Sequence, residues 1–130
     1  MLKIVSVNDV DNYYPQHLLC NLNIKSERLK EIFGNPIKKF DGKTDWEWVI
    51  KFEGDKVLYI YDYKAGISYW GEENGIPFQY LRYWSVGGVD RELAMQLKNF
   101  LEGNSWDAYE NIRLKMIFSK EYLEDNFVED

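Results

Sequence analysis

The chain has one cysteine and one histidine among 130 residues. A single cysteine, Cys20, excludes an intramolecular disulfide. It lies in the apolar run HLLCNL and reads as a small buried hydrophobe. A Cys–His nucleophilic pair would need His17 and Cys20 to meet locally, and no motif supports that. No cluster of His, Cys and carboxylates has zinc spacing. The acidic stretches DVDN and EDNFVED lack the glycine and glutamate positions of a calcium loop and read as solvated charge. The inventory therefore predicts no catalysis, no metal and no cofactor.

Positive charge is also short. The formal net charge is -6, the wrong sign for a generic duplex DNA binder, so no nucleic-acid partner is expected. A local cationic pocket for a small anion remains compatible with that total. No apolar run is long enough to span a bilayer. The start MLKIVSVNDV is too short and polar for a signal peptide. The expectation is a cytoplasmic protein with no membrane partner.

What the chain has in abundance is aromatic surface: ten Tyr and five Trp, with 17% aromatic residues in all. Such side chains bury large areas and keep a polar tip, which suits interfaces and stacking sites. In a chain this short they predict apolar surface left over for a partner, most simply a homodimer or higher homo-oligomer.

The length predicts one domain over 1–130, with a core over about 1–103 and a helical C-terminal extension over about 104–130. Residues 2–7 read as a short strand, and 17–24 as either a strand or an approach loop. SERLKEIFG carries a short helix, with Ser26 as cap, Leu29, Ile32 and Phe33 on one face, and Gly34 as stop. The clearest element is a hairpin. Trp46, Trp48, Ile50 and Phe52 alternate with Glu47, Val49 and Lys51. After the turn EGDK, Val57, Tyr59, Tyr61 and Tyr63 alternate with Leu58, Ile60 and Asp62. A loop over 64–79 follows, in which ISYW can form a strand stub. Residues 80–86 read as a strand. Asp90 caps a helix over about 91–101, with Leu93, Leu97, Phe100 and Leu101 on one face and Gly103 as stop. The fold class is α+β: a small antiparallel sheet with helices packed on one side.

The candidate site centres on YLRYWSVGGVDRE. Arginine is scarce, at four residues (Arg28, Arg82, Arg91 and Arg113) against twelve lysines. Its planar fork suits phosphates and stacks on rings. On a strand, Tyr80, Arg82 and Trp84 share one face, which fits a nucleobase and its phosphate or an outward face where Arg82 lies over the rings. Gly87 and Gly88 precede a helix start that carries Arg91. They can present backbone N–H groups to an anion, or simply turn a tight corner at positive φ. The pattern is neither a dinucleotide fingerprint nor a Walker loop. Arg113 lies in the extension with Lys115 nearby, where it can complete a pocket or stand as a surface cation.

The order LKEIFGNPI, DGKTDWEWVIKF, VLYIYDYK, a glycine-rich loop, YWSVGG and a final amphipathic helix resembles a widespread group of small bacteriophage proteins over residues 27–101. Their shared signs are a Trp-x hairpin, a Tyr-Asp-Tyr/Trp-Lys strand end and a Trp-x-Val/Ile-Gly-Gly turn. Within that group the layout is similar to the anti-Thoeris signal sponges. The resemblance implies a phage counter-defence protein acting in the host cytoplasm, assembled as a dimer or larger. Such a protein sequesters a cyclic ADP-ribose-type signal without cleaving it, in pockets between subunits. It implies Trp84 or Tyr83 as the ring against the base and Arg82, Arg91 and Arg113 as phosphate partners. The competing class is an acidic protein-binding inhibitor, such as an anti-CRISPR or toxin-immunity protein, whose charge and aromatics suit a basic partner.

Overall fold

The computed structural model describes residues 3–9 and 17–103. Six strands, β1 (Ile4–Val7), β2 (His17–Asn23), β3 (Ile37–Lys38), β4 (Thr44–Phe52), β5 (Lys56–Tyr63) and β6 (Tyr83–Gly88), form one sheet. Its order is β1–β4–β5–β6–β2, with β3 also paired to β4, and every pairing is antiparallel. The described residues also form three helices: α1 (Ser26–Phe33), α2 (Ile67–Trp70) and α3 (Arg91–Glu102). The architecture is α+β, as the patterning predicts. The expected extension over 104–130, Arg113 included, lies outside the described residues. Among the described residues no helix is long and apolar enough to cross a membrane.

The β4–β5 hairpin forms where the period-two pattern placed it. Gly54 and Asp55, both at positive φ, reverse the chain between the strands. Trp48, Ile50 and Phe52 face Leu58 and Ile60 in one core, which Trp84 and Val86 of β6 extend. Leu29, Ile32 and Phe33 of α1, with Ala94, Leu97 and Leu101 of α3, close over the same core. The opposite face is not simply wet: Val49, Tyr59 and Glu47 are buried there too.

The two central indoles organise this core. Trp48 and Trp84 meet edge to face, with centroids 5.2 Å apart, and Phe78 packs against both. Each indole N–H finds a carbonyl at one end of α1. Trp84 donates to Ile24 O at 3.1 Å, and Trp48 donates to Gly34 O at 2.9 Å. A buried indole donor needs such a partner, and here the partners fix both ends of one helix.

Of the two readings of 17–24 the strand holds: β2, His17–Asn23, pairs along β6. Other local expectations are corrected. The helix cap position belongs to Lys25, not Ser26; Ser26 is the first helical residue, and its hydroxyl donates to Phe78 O at 2.5 Å. ISYW is the single helical turn α2 rather than a strand stub, because Asp45 reaches over to accept from its first amides. Cys20 is only half-buried. Asp90 caps α3 as predicted, accepting from Leu93 N at 3.0 Å, and Gly103 ends it.

The indole clamp has a direct stability consequence. Trp84→Ala removes a fully buried ring and its hydrogen bond, and should cost about 3–5 kcal/mol in urea denaturation. Tyr83→Ala, its exposed neighbour, should change stability by no more than about 0.5 kcal/mol. Equal costs at the two positions would contradict the assignment of Trp84 to the core.

Candidate functional site

The predicted strand face over 80–86 does not form. Residues 78–80 are a 3-10 turn, and β6 begins at Tyr83. Trp84 points into the core at 1% exposure, while Tyr80 and Tyr83 are 71% and 68% exposed. Trp84 is therefore no stacking ring for a ligand; the accessible rings beside Arg82 are Tyr80 and Tyr83.

Backbone pairing holds Arg82 in place. Ile24 N donates to Arg82 O at 2.8 Å, and Ser26 N donates to Leu81 O at 3.1 Å. Lys25 sits between those two bonds, so its side chain emerges beside the 79–82 segment. Lys25, Glu27, Gln79, Tyr80, Leu81 and Arg82 line an open cleft of about 280 Å³. Arg82 Nε donates to Asn23 Oδ1 at 3.3 Å, which orients the guanidinium while its terminal nitrogens keep further donor capacity. Two cations face one carboxylate, giving a locally positive site on an acidic protein.

Gly87 and Gly88 are neither a phosphate cradle nor the corner. Both are the last residues of β6, buried, and paired across to β2 and to β5: Gly87 opposite Leu18 and Tyr59, Gly88 opposite His17 and Leu58. A Cβ at Gly88, where φ is +154°, would lie 3.0 Å from both Leu58 Cδ2 and Val57 O. The glycine is required by close approach of β5. The corner itself is Val89–Asp90.

Arg91 opens α3 at the far end of β6 from Arg82. Six strand residues separate them, roughly 20 Å at the usual rise, so the fold does not bring these two arginines together. A larger depression of about 410 Å³ beside the start of α3 is lined by Lys3, Lys56, Glu53, Asp90 and Glu92 among others. Its lysines are already spent: Lys3 pairs with Glu53 at 3.3 Å and Lys56 with Asp90 at 2.7 Å. Asp90 also occupies the helix N-terminus. That depression is the larger of the two and the poorer anion site.

A second feature escaped the sequence reading. Asp45 and Asp62 are both buried. Asp62 Oδ1 accepts from Trp46 N at 2.7 Å and Asp45 N at 3.1 Å. The Asp45 carboxylate accepts from Ile67 N at 2.6 Å and Ser68 N at 3.0 Å. Both carboxylates press on Gly66, where a methyl group would overlap Asp45 and lie 2.7 Å from Asp62 Oδ2. Burial pushes the Asp62 carboxyl up to about 7, against its amide hydrogen bonds and with help from the Asp45 charge. Burial likewise raises Glu47, which lies 3.5 Å from Lys39. The signal was present: Asp62 stands in the same strand row as Leu58 and Ile60, a carboxylate in a core register.

This carboxylate knot ties a loop of exposed aromatics to the hairpin. Tyr63, Tyr69 and Trp70 are all exposed on it. Lys64 Nζ lies 5.2 Å from the Tyr63 ring centroid and 5.7 Å from that of Tyr69. Among the described residues no group of three or more His, Cys, Asp and Glu is arranged to hold a metal. Comparison with protein-family models, curated proteins and solved structures gives no match.

The knot makes stability depend on pH with a definite sign. Asp62 binds its proton more tightly folded than unfolded, so the folded state carries the extra proton between about pH 4 and 7. Stability should therefore fall as pH rises through that window, by an amount on the order of a few kcal/mol. Asp62→Asn keeps an acceptor for the two amides and removes the charge. It should flatten most of the slope, with Glu47 contributing the remainder. Urea midpoints measured from pH 4 to 7.5 check this, and an unchanged slope in the variant would contradict it.

Proposed function

We propose that the protein binds a small nucleotide-derived signalling molecule and holds it intact, in the cleft formed by Lys25, Tyr80 and Arg82. The observation that carries this reading is the convergence of two cations and an exposed aromatic ring on one open cleft. Arg82 and Lys25 supply donors for a phosphate. Tyr80 supplies a ring face for a base. Gln79 and Glu27 offer polar partners for sugar hydroxyls. Tyr83 flanks the same segment.

The cleft volume of 280 Å³ falls just under the roughly 300–1,000 Å³ of self-sufficient small-molecule sites. One protomer thus covers one end of a dinucleotide-sized ligand. A second copy completing the cleft accords with the homo-oligomer expected from the aromatic surplus, and with the intersubunit pockets that the resemblance to anti-Thoeris sponges implies. Under this reading the protein is a phage counter-defence sponge for a cyclic ADP-ribose-type signal, and it acts by sequestration. Binding without chemistry suits a site made of stacking, cation and amide contacts.

Calorimetry against a panel of cyclic ADP-ribose isomers and cyclic di- and trinucleotides tests this. Arg82→Ala and Lys25→Ala should each weaken binding about tenfold or more, since a charged contact is worth about 1.5–3 kcal/mol. Lys38→Ala, on β3, should leave binding unchanged. Ligand recovered after heating the complex should be chemically identical to that added. No binding across the panel would refute the proposal, and recovery of a cleaved ligand would refute sequestration.

A further inference from the structure

We infer that the loop from Tyr63 to Glu73 is a docking surface for an arginine-bearing, basic segment of a partner protein. This surface is separate from the Lys25–Arg82 cleft and stands or falls without it.

The loop is built to present rings rather than to bury them. Tyr63, Tyr69 and Trp70 stand on an eleven-residue stretch with Trp70 56% exposed. Tyr69 and Trp70 meet edge to face at 5.1 Å, as do Tyr61 and Tyr63 at 6.2 Å. Left in water, such rings have no role in the core, which closes on the other indoles.

The platform is fixed. Asp45 pins the amides of Ile67 and Ser68, and Gly66 packs on two buried carboxylates. Trp70 Nε1 donates to Lys64 O at 2.8 Å, Gly75 N to Gly71 O at 2.8 Å, and Ile76 N to Ala65 O at 3.1 Å. Rigid aromatic anchors lose little freedom on binding, which is what the energetic centre of an interface requires.

The charge selects the partner. Glu72 and Glu73 are exposed and come one residue after Trp70, beyond Gly71, in the tight turn closed by the Gly75–Gly71 bond. Exposed ring faces beside carboxylates fit a guanidinium, which stacks on the ring and pairs with the acid at once. The net charge of -6 draws a basic segment and disfavours a polyanion. The molecule already shows the interaction in small: Lys64, held at φ +56°, lays its ammonium over Tyr63 and Tyr69. Lys64 thus acts as an internal cation that an incoming arginine must displace or avoid.

That last feature gives a test whose sign a merely structural role would not produce. The probes are three short peptides alternating glycine with arginine, lysine or glutamate, titrated into the full chain by calorimetry and tryptophan fluorescence. The arginine peptide should bind, the lysine peptide several-fold more weakly, and the glutamate peptide not at all. Trp70→Ala should weaken arginine-peptide binding about tenfold, and the double variant Glu72→Gln/Glu73→Gln should weaken it and reduce its salt dependence. Lys64→Gln should strengthen it, because the competing cation is gone, while Arg82→Ala should change nothing. Binding unaffected by Trp70→Ala, or weakened by Lys64→Gln, would overturn the inference. So would preference for the glutamate peptide, or absence of arginine-peptide binding to the folded chain.

Discussion

The contact on which the rest of this structure depends is the edge-to-face pair of Trp48 and Trp84. Each ring fills the core, and each buried N–H must find an acceptor within the protein. The acceptors are Ile24 O and Gly34 O, just before and just after α1. Two strands in the middle of the sheet thereby position a helix that shares no strand pairing with them. The chain entering that helix is fixed as a result, and Lys25 is its cap residue. The same clamp places Phe78 against both indoles, so the turn carrying Tyr80 and Arg82 is held to the core from below. The cleft is a surface consequence of a core constraint.

A second constraint works in the opposite direction. Asp45 and Asp62 are buried carboxylates, and burying charge is costly unless hydrogen bonds compensate. The amides of Trp46, Asp45, Ile67 and Ser68 supply that compensation. The stability sacrificed there holds the 63–76 loop in one conformation, with its rings turned outward. The polar knot therefore explains how a chain with so much aromatic surface keeps part of it exposed.

Much of this was legible in the sequence, for definite reasons. The β4–β5 hairpin was visible because period-two alternation over two runs, 46–52 and 57–63, has no helical reading. Helix α3 was visible because Asp90, its apolar face and Gly103 agree. Trp84 was misplaced because alternation was extended back to residue 80, across a 3-10 turn that carries no period. The paired glycines were misread because a strand-to-helix switch and a close approach between strands both demand glycine, and only the position of Leu58 and Val57 O distinguishes them. Arg82 and Arg91 were grouped by proximity in sequence, whereas a strand and its following helix carry them to opposite ends of the sheet. Lys25 was missed because its partners are backbone bonds between distant segments, which leave no local pattern. Asp62 was readable in principle, as a carboxylate in a row of core residues.

The central claim is that the chain divides at residues 80–84 into an outward half, proposed to meet ligand, and an inward half that holds the core. Amide chemical-shift mapping during titration with a cyclic ADP-ribose isomer tests it residue by residue. The account predicts shifts confined to Lys25–Glu27 and Gln79–Tyr83, with Gly87 to Arg91 undisturbed. Shifts centred on Gly87–Arg91, with the Lys25–Arg82 cleft silent, would contradict it.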